Sequence, residues 1–250
     1  MQHDEAVSLL PSLIDGFATT IRGVDDATSV PSCPGWNLGK LTRHLGTTQR
    51  WAAEMVRTRA AERLDTRTLD LALPTDATGY PDWILAGGAA LVATLDEADP
   101  DDAMWAWGAD QHVRFWSRRM VHETIAHTAD AQLATGVAPV IDAPVAIDGI
   151  DELLDNLPTA LYFAPNVAEL RGSGESIHVH CTDSDGEWMI ELEPAGFHWE
   201  HAHSKGTVAV RGTAADLFLL LYGRYAAGDE RFTRFGDTAL LDRWLTNSAL

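Results

Sequence analysis

Cysteine is scarce: Cys33 and Cys181 are the only two in 250 residues. They stand far apart, so no disulfide framework is expected, and a reducing cytoplasm is the expected compartment. Positive charge is scarce too. Lys and Arg total 18 against 37 Asp and Glu, a formal net charge of -19. Such a chain repels phosphate backbones and anionic headgroups, so neither nucleic acid nor a membrane surface is expected as a partner. No apolar run approaches the roughly 20 residues that span a bilayer. The opening residues, Met1-Gln2-His3-Asp4-Glu5, are acidic and carry no apolar signal core. Internal repeats and low-complexity tracts are also missing. A soluble protein, monomeric or a small homo-oligomer, is expected, with length for one large or two small domains.

What is present in the first half is helical periodicity. Val7, Leu10, Ile14, Phe17, Ile21 and Val24 recur in steps of three and four, one apolar face of a helix. A turn at Pro31-Ser32-Cys33-Pro34-Gly35-Trp36 follows, and Asn37 is placed to cap a second helix running to about Ala60. The polar stretch from Arg63 to Gly79 reads as a long connection. A third helix is expected over Asp82–Leu95 and a fourth over His112–Thr135. Four amphipathic helices of this length form a bundle, and bundle cores house metal sites.

The pattern changes after Gly136. Val137 to Pro144 holds two prolines and no helical period, which places the linker there, between domains at 1–140 and 147–250. A short helix is expected over Ile150–Leu157. Ser176 to Thr182 alternates, Asp183-Ser184-Asp185-Gly186 reads as a hairpin turn, and Glu187 to Leu192 as the partner strand. Phe197–His201 and Thr207–Arg211 add two strands, and helices near Ala214–Ala226 and Thr238–Thr246 close the chain. The fold class is therefore α + (α+β): a four-helix bundle, then a small α+β domain with an antiparallel sheet.

Chemistry concentrates on the fourth helix. Glu123 and His127 are four apart and share a face with Trp116 and Met120. His44 lies on the stripe Leu41, His44, Thr48, Trp51, Met55 of the second helix. A carboxylate and imidazoles on apolar stripes are costly unless paired. His44, Glu123 and His127 can supply three ligands to zinc or another divalent metal with the fourth position open. Taken singly, each is equally a core histidine or half of a helix ion pair. The zinc-protease pattern does not apply, because His122 and His127 are five apart, about 140° around the helix.

These residues resemble a known family. Cys33-Pro34-Gly35-Trp36 with Leu41-Thr42-Arg43-His44-Leu45, and Arg119 to His127, are similar to two motifs of the mycothiol-dependent maleylpyruvate isomerase family. His178-Val179-His180-Cys181-Thr182-Asp183 with Gly186-Glu187-Trp188, and Leu221-Tyr222-Gly223-Arg224, resemble its C-terminal domain. Tyr222 stands where Trp is expected before the Gly-Arg pair, and Asn37 where Thr is commoner. The resemblance implies a DinB-like bundle, a sterol-carrier-protein-like C-terminal domain, and a metal, typically zinc, on His44, Glu123 and His127. It also implies the low-molecular-weight thiol mycothiol as cosubstrate and a small electrophile as substrate. Thiol addition, rotation and elimination would give an isomerase; release of the adduct would give a transferase. Arg224, on an apolar helix, either snorkels to solvent or acts catalytically by binding a substrate carboxylate bidentately at the domain cleft, and the resemblance favours the second.

Two other classes stay open: a hydrolase using metal-activated water at the same residues, and a non-catalytic metal- or ligand-binding protein. Among the remaining polar residues, His122 reads as a packing residue or as one that supports the ligands from behind. Asp130, one turn beyond His127, either holds that imidazole or is a solvated helix acid. His178 and His180, with His201 and His203, read first as partly exposed strand histidines and second as another metal site. Trp105 and Trp107 read as packing before they read as a lid.

Overall fold

The computed structural model describes residues 1–249, which divide into two compact units, 1–139 and 140–249. The first unit is built on α1 (His3–Ile21), α2 (Leu38–Thr58), α3 (Tyr80–Asp96) and α4 (Val113–Ala134). α1 and α2 each pack against both α3 and α4, so they occupy opposite corners of a four-helix bundle. The side chain of Asn37 accepts from the Lys40 amide at 2.9 Å, capping α2 as its position before the apolar stripe requires. The connection between α2 and α3 contains two single 3-10 turns, Thr66–Thr68 and Ala77–Gly79.

α4 differs from its neighbours. It is buried around most of its circumference, so it brings Arg119, His122, Thr124, His127 and Asp130 into the interior along with Phe115, Trp116, Met120 and Ile125. Trp105 and Trp107 serve this packing. The Trp116 indole donates to the Trp105 carbonyl at 3.2 Å, and Trp107 meets Phe115 edge-on at 5.4 Å.

The second unit runs α5 (Ala143–Asn156), 3-10 segments at Leu157–Tyr162 and Pro165–Glu169, β1 (Ser176–Cys181), β2 (Glu187–Glu193), β3 (Gly196–Glu200), β4 (Val208–Gly212), α6 (Ala214–Leu221), β5 (Thr233–Gly236) and α7 (Thr238–Asn247). The sheet order is β3-β2-β1-β4-β5. Ile177, Val179, Trp188, Ile190, Val208 and Val210 are fully buried on one face, and His178, His180 and Glu187 alternate onto the other.

Four details differ from the sequence reading. The sheet is mixed: β1 pairs with β4 in parallel, because the chain leaves β3 and crosses the sheet before entering β4. α5 begins at Ala143, inside the stretch read as linker. Pro144 falls in its first turn, where the missing N–H breaks no helical bond. β5 has no counterpart in the reading, since its four residues are mostly exposed and carry no alternation. α6 stops at Leu221, well short of Ala226. Gly223 takes φ +77°, and the amides of Gly223 and Arg224 bond back to Leu220 and Leu219 at 2.9 and 2.7 Å, a Schellman stop. Arg224 is therefore in the turn after the helix, not on it. Among the described residues no helix is long and apolar enough to cross a membrane.

Candidate functional site

α2 and α4 bring His44, Glu123 and His127 together. One ligand atom from each lies within 4.8 Å of the others. His44 Nε2 is 3.0 Å from Glu123 Oε1, and His127 Nε2 is 3.3 Å from the same oxygen. Glu123 and His127 pair at i and i+4 on α4. The other Glu123 oxygen accepts from Arg119 Nη2 at 3.2 Å, one turn earlier on the same helix. The three side chains are not equally deep. His127 and Glu123 are 10% and 19% exposed, whereas His44 is 39% exposed. The sequence reading put all three on core-facing stripes; for His44 this is corrected, because it lies with the half-buried Thr48 and Trp51 at the margin of the covered face, while Leu41 and Leu45 beside it are fully buried. The site is thus open on the His44 side and closed behind His127.

Asp130 closes it. The carboxylate is fully buried and accepts from His127 Nδ1 at 2.8 Å, which leaves Nε2 directed at the cluster. Ser32 Oγ donates to Asp130 at 2.6 Å and Cys33 Sγ at 3.4 Å, so the turn before α2 braces the acid. Trp36 from the same turn stacks over His127 at 6.4 Å and meets His44 edge-on at 5.2 Å. The bracing by Ser32 and the wall formed by Trp36 were not legible. A contact spanning about a hundred residues leaves no periodic trace. His122, fully buried, stands outside the three-donor group.

The electrostatics are those of a partly charged cluster. Burial alone would raise the Glu123 carboxyl. The bonds with His127 and His44 and the Arg119 guanidinium outweigh it and hold the group well below the usual carboxylate range. Burial would likewise lower His127, but Asp130 and Glu123 hold its imidazole above the ordinary value. The signs fix a pH window for the metal-free protein. Stability from Glu123 is present above its ordinary value of 4.5 and is lost as acid passes its depressed folded value. Stability from His127 is present below its ordinary value of 6.5 and is lost as pH rises through its raised folded value. The melting temperature of chelator-treated protein should therefore exceed that of its Glu123→Gln variant most between those two values. A gap independent of pH would contradict the ionic description.

Two imidazole nitrogens and a carboxylate oxygen are ligand types that zinc accepts. A buried carboxylate behind one imidazole is the arrangement that fixes a ligand tautomer. The donor set therefore fits a divalent ion. Replacing Asp130 by Ala is expected to weaken metal binding by about 10- to 100-fold. Competitive titration with a chromophoric chelator measures it, and unchanged affinity would remove Asp130 from the site.

Such a molecule is a helical-bundle protein with a His/Glu/His donor set, joined to an α+β unit with a five-stranded sheet. The chain belongs to the mycothiol maleylpyruvate isomerase family. The family's N-terminal domain matches residues 10–132 and its C-terminal domain matches residues 144–243. Two solved structures of mycothiol-dependent maleylpyruvate isomerase share the fold. One, a histidine-to-alanine mutant, superposes with a TM-score of 0.58, and the other with 0.54. Each is 14% identical in sequence, and the alignment covers 94% of this chain and 93% of the other. No curated protein sequence matches this chain.

Proposed function

We propose that this protein is a mycothiol-dependent isomerase acting on a small electrophile, with a divalent metal, typically zinc, held by His44, Glu123 and His127. The observation that carries the reading is the donor set itself: three ligand atoms within 4.8 Å, braced from behind and open at His44. Family membership supplies the thiol and the isomerase type of reaction. When bound, a divalent ion at these residues supplies Lewis acidity that keeps a thiol ionised at neutral pH.

The chain's own residues do the rest. Asp130 holds the Nδ1 proton of His127 and so fixes which nitrogen faces the cluster. Arg119 binds one Glu123 oxygen and leaves the other toward the imidazoles. The Trp36 ring forms an apolar wall that limits water around both histidines. The solvent-facing side at His44 admits the thiol and the electrophile. Cis–trans isomerisation then needs thiol addition to an activated double bond, rotation about the resulting single bond, and elimination of the same thiol. The proton balance closes because the thiol returns unchanged.

Arg224 is assigned to the substrate carboxylate as a bidentate clamp. The Schellman turn fixes its backbone, and its guanidinium donates to the Tyr222 carbonyl. The test is a rate assay of zinc-loaded protein on maleylpyruvate and on uncharged electrophiles, each with mycothiol. Mycothiol-dependent isomerisation is expected. Arg224→Ala should lower kcat/KM for the carboxylate substrate by about 10- to 100-fold, the loss of roughly 1.4–2.8 kcal/mol of positioning, and leave uncharged substrates nearly unaffected. Accumulation of a thioether product would make the enzyme an S-transferase. An equal loss on both substrate types would remove Arg224 from the clamp.

A further inference from the structure

We propose that the second unit carries its own divalent-metal site, with His178, His180, Glu187 and His203 as four protein ligands to a zinc-type ion that pins the β3–β4 crossover to the sheet. The four residues come from three separate pieces of chain. His178 and His180 alternate onto one face of β1. Glu187 opens β2 directly opposite His180 in the antiparallel register, two positions from the partner of His178. His203 lies in the segment between Glu200 and Val208 that crosses from β3 to β4.

All three imidazoles converge on one atom. His178 Nε2, His180 Nδ1 and His203 Nδ1 lie 2.6, 2.7 and 2.6 Å from Glu187 Oε1. One carboxylate oxygen has two lone pairs, so it cannot satisfy three ring N–H donors in good geometry. A tetrahedral ion with bonds of about 2.0–2.1 Å would place four such donors about 3.3 Å apart. The four donors already lie within 4.8 Å of one another, so they need only small side-chain shifts to take it up. Three nitrogens and one oxygen suit zinc rather than calcium or magnesium. With four protein ligands the site is closed, so its role is structural rather than catalytic.

The crossover is held close to the sheet independently of these ligands. A Cβ on Gly206 would come within 2.7 Å of the Val208 carbonyl and 3.0 Å of the His178 amide. Gly206 thus lets the loop run close against β1, and Ser176 and Thr207 hold it there by exchanging amide-to-hydroxyl bonds of 3.1 and 3.2 Å, so the ligand it carries is presented to the sheet. His203 itself is 80% exposed, so removing it leaves no hole in the core.

The experiment titrates zinc alone into chelator-stripped full-length protein and counts bound metal by mass spectrometry. Wild type is expected to take up about two ions per chain, His203→Ala about one, His44→Ala about one, and the double variant none. Circular dichroism checks that the variants are folded, and His180→Ala serves as a second ligand variant. Lys205 adds a local readout: zinc should slow tryptic cleavage after it in wild type and not in His203→Ala. Zinc uptake and protection that are the same in His203→Ala and His180→Ala as in wild type would overturn the proposal. The outcome is separable from the bundle site, because only the His44 variant reports on that one.

Discussion

Removing any one of His44, Glu123 or His127 is expected to abolish metal binding in the bundle and lower thiol-dependent turnover by about a thousandfold or more, a loss of several kcal/mol of transition-state stabilisation. The three variants should differ in what they do to the fold. His44→Ala costs least, since its side chain is 39% exposed. Glu123→Ala costs most, because the carboxylate it removes is the one that Arg119, itself 7% exposed, donates to. Glu123→Gln keeps an acceptor for Arg119 and should recover stability without recovering metal or rate. Metal content and turnover are to be measured on the same samples. Full metal content and full rate in all three variants would place the site elsewhere. Acid should act as the variants do, since protonated imidazoles cannot ligate, and restoring neutral pH with zinc should reverse it.

How much of this was legible depends on the range of the interactions involved. α1 to α4 follow from three-four spacing and a cap, because helix formation is decided within one turn of chain. The i, i+4 pairing of Glu123 and His127 follows for the same reason. The proximity of His44 does not: it depends on α2 packing against α4, and only the motif resemblance linked the two segments in advance. Periodicity also misjudged the depth of His44. A stripe says which way a side chain points, not how much of the helix circumference its neighbours cover: Leu41 and Leu45 are fully buried beside a part-exposed His44.

The second unit shows the same division. The hairpin of β1 and β2 was readable because its turn is local, and its register alone sets Glu187 opposite His180. The parallel pairing of β1 with β4 was not readable, since the crossover that permits it has no pattern of its own. The arrival of His203 beside Glu187 is a consequence of that crossover. The end of α6 was overrun because Leu217 to Leu221 is apolar throughout. The stop comes from Gly223 and its backbone bonds rather than from a change in hydropathy.

Turnover is expected to require an added thiol and to survive loss of both cysteines. Neither Cys33 nor Cys181 is in a disulfide, yet neither is set up as a nucleophile. Burial pushes the Cys181 thiol up to about 11, so it stays protonated at neutral pH. Cys33 donates to the buried Asp130 carboxylate, and an adjacent anion is the opposite of an activating cation. A serine at Cys33 keeps the donor to Asp130. The Cys33→Ser, Cys181→Ser double variant should therefore hold kcat/KM within about threefold, well under 1 kcal/mol. Omitting mycothiol should lower the rate at least about a hundredfold, and a generic thiol should fall between, because it shares the sulfur chemistry but lacks the groups that bind the rest of the molecule. The rates are to be compared on one substrate at fixed zinc. Equal rates with and without thiol would sink the thiol mechanism and leave metal-promoted hydrolysis at the same three ligands. Loss of activity in the double variant with metal content unchanged would make one of the protein's own sulfurs the nucleophile.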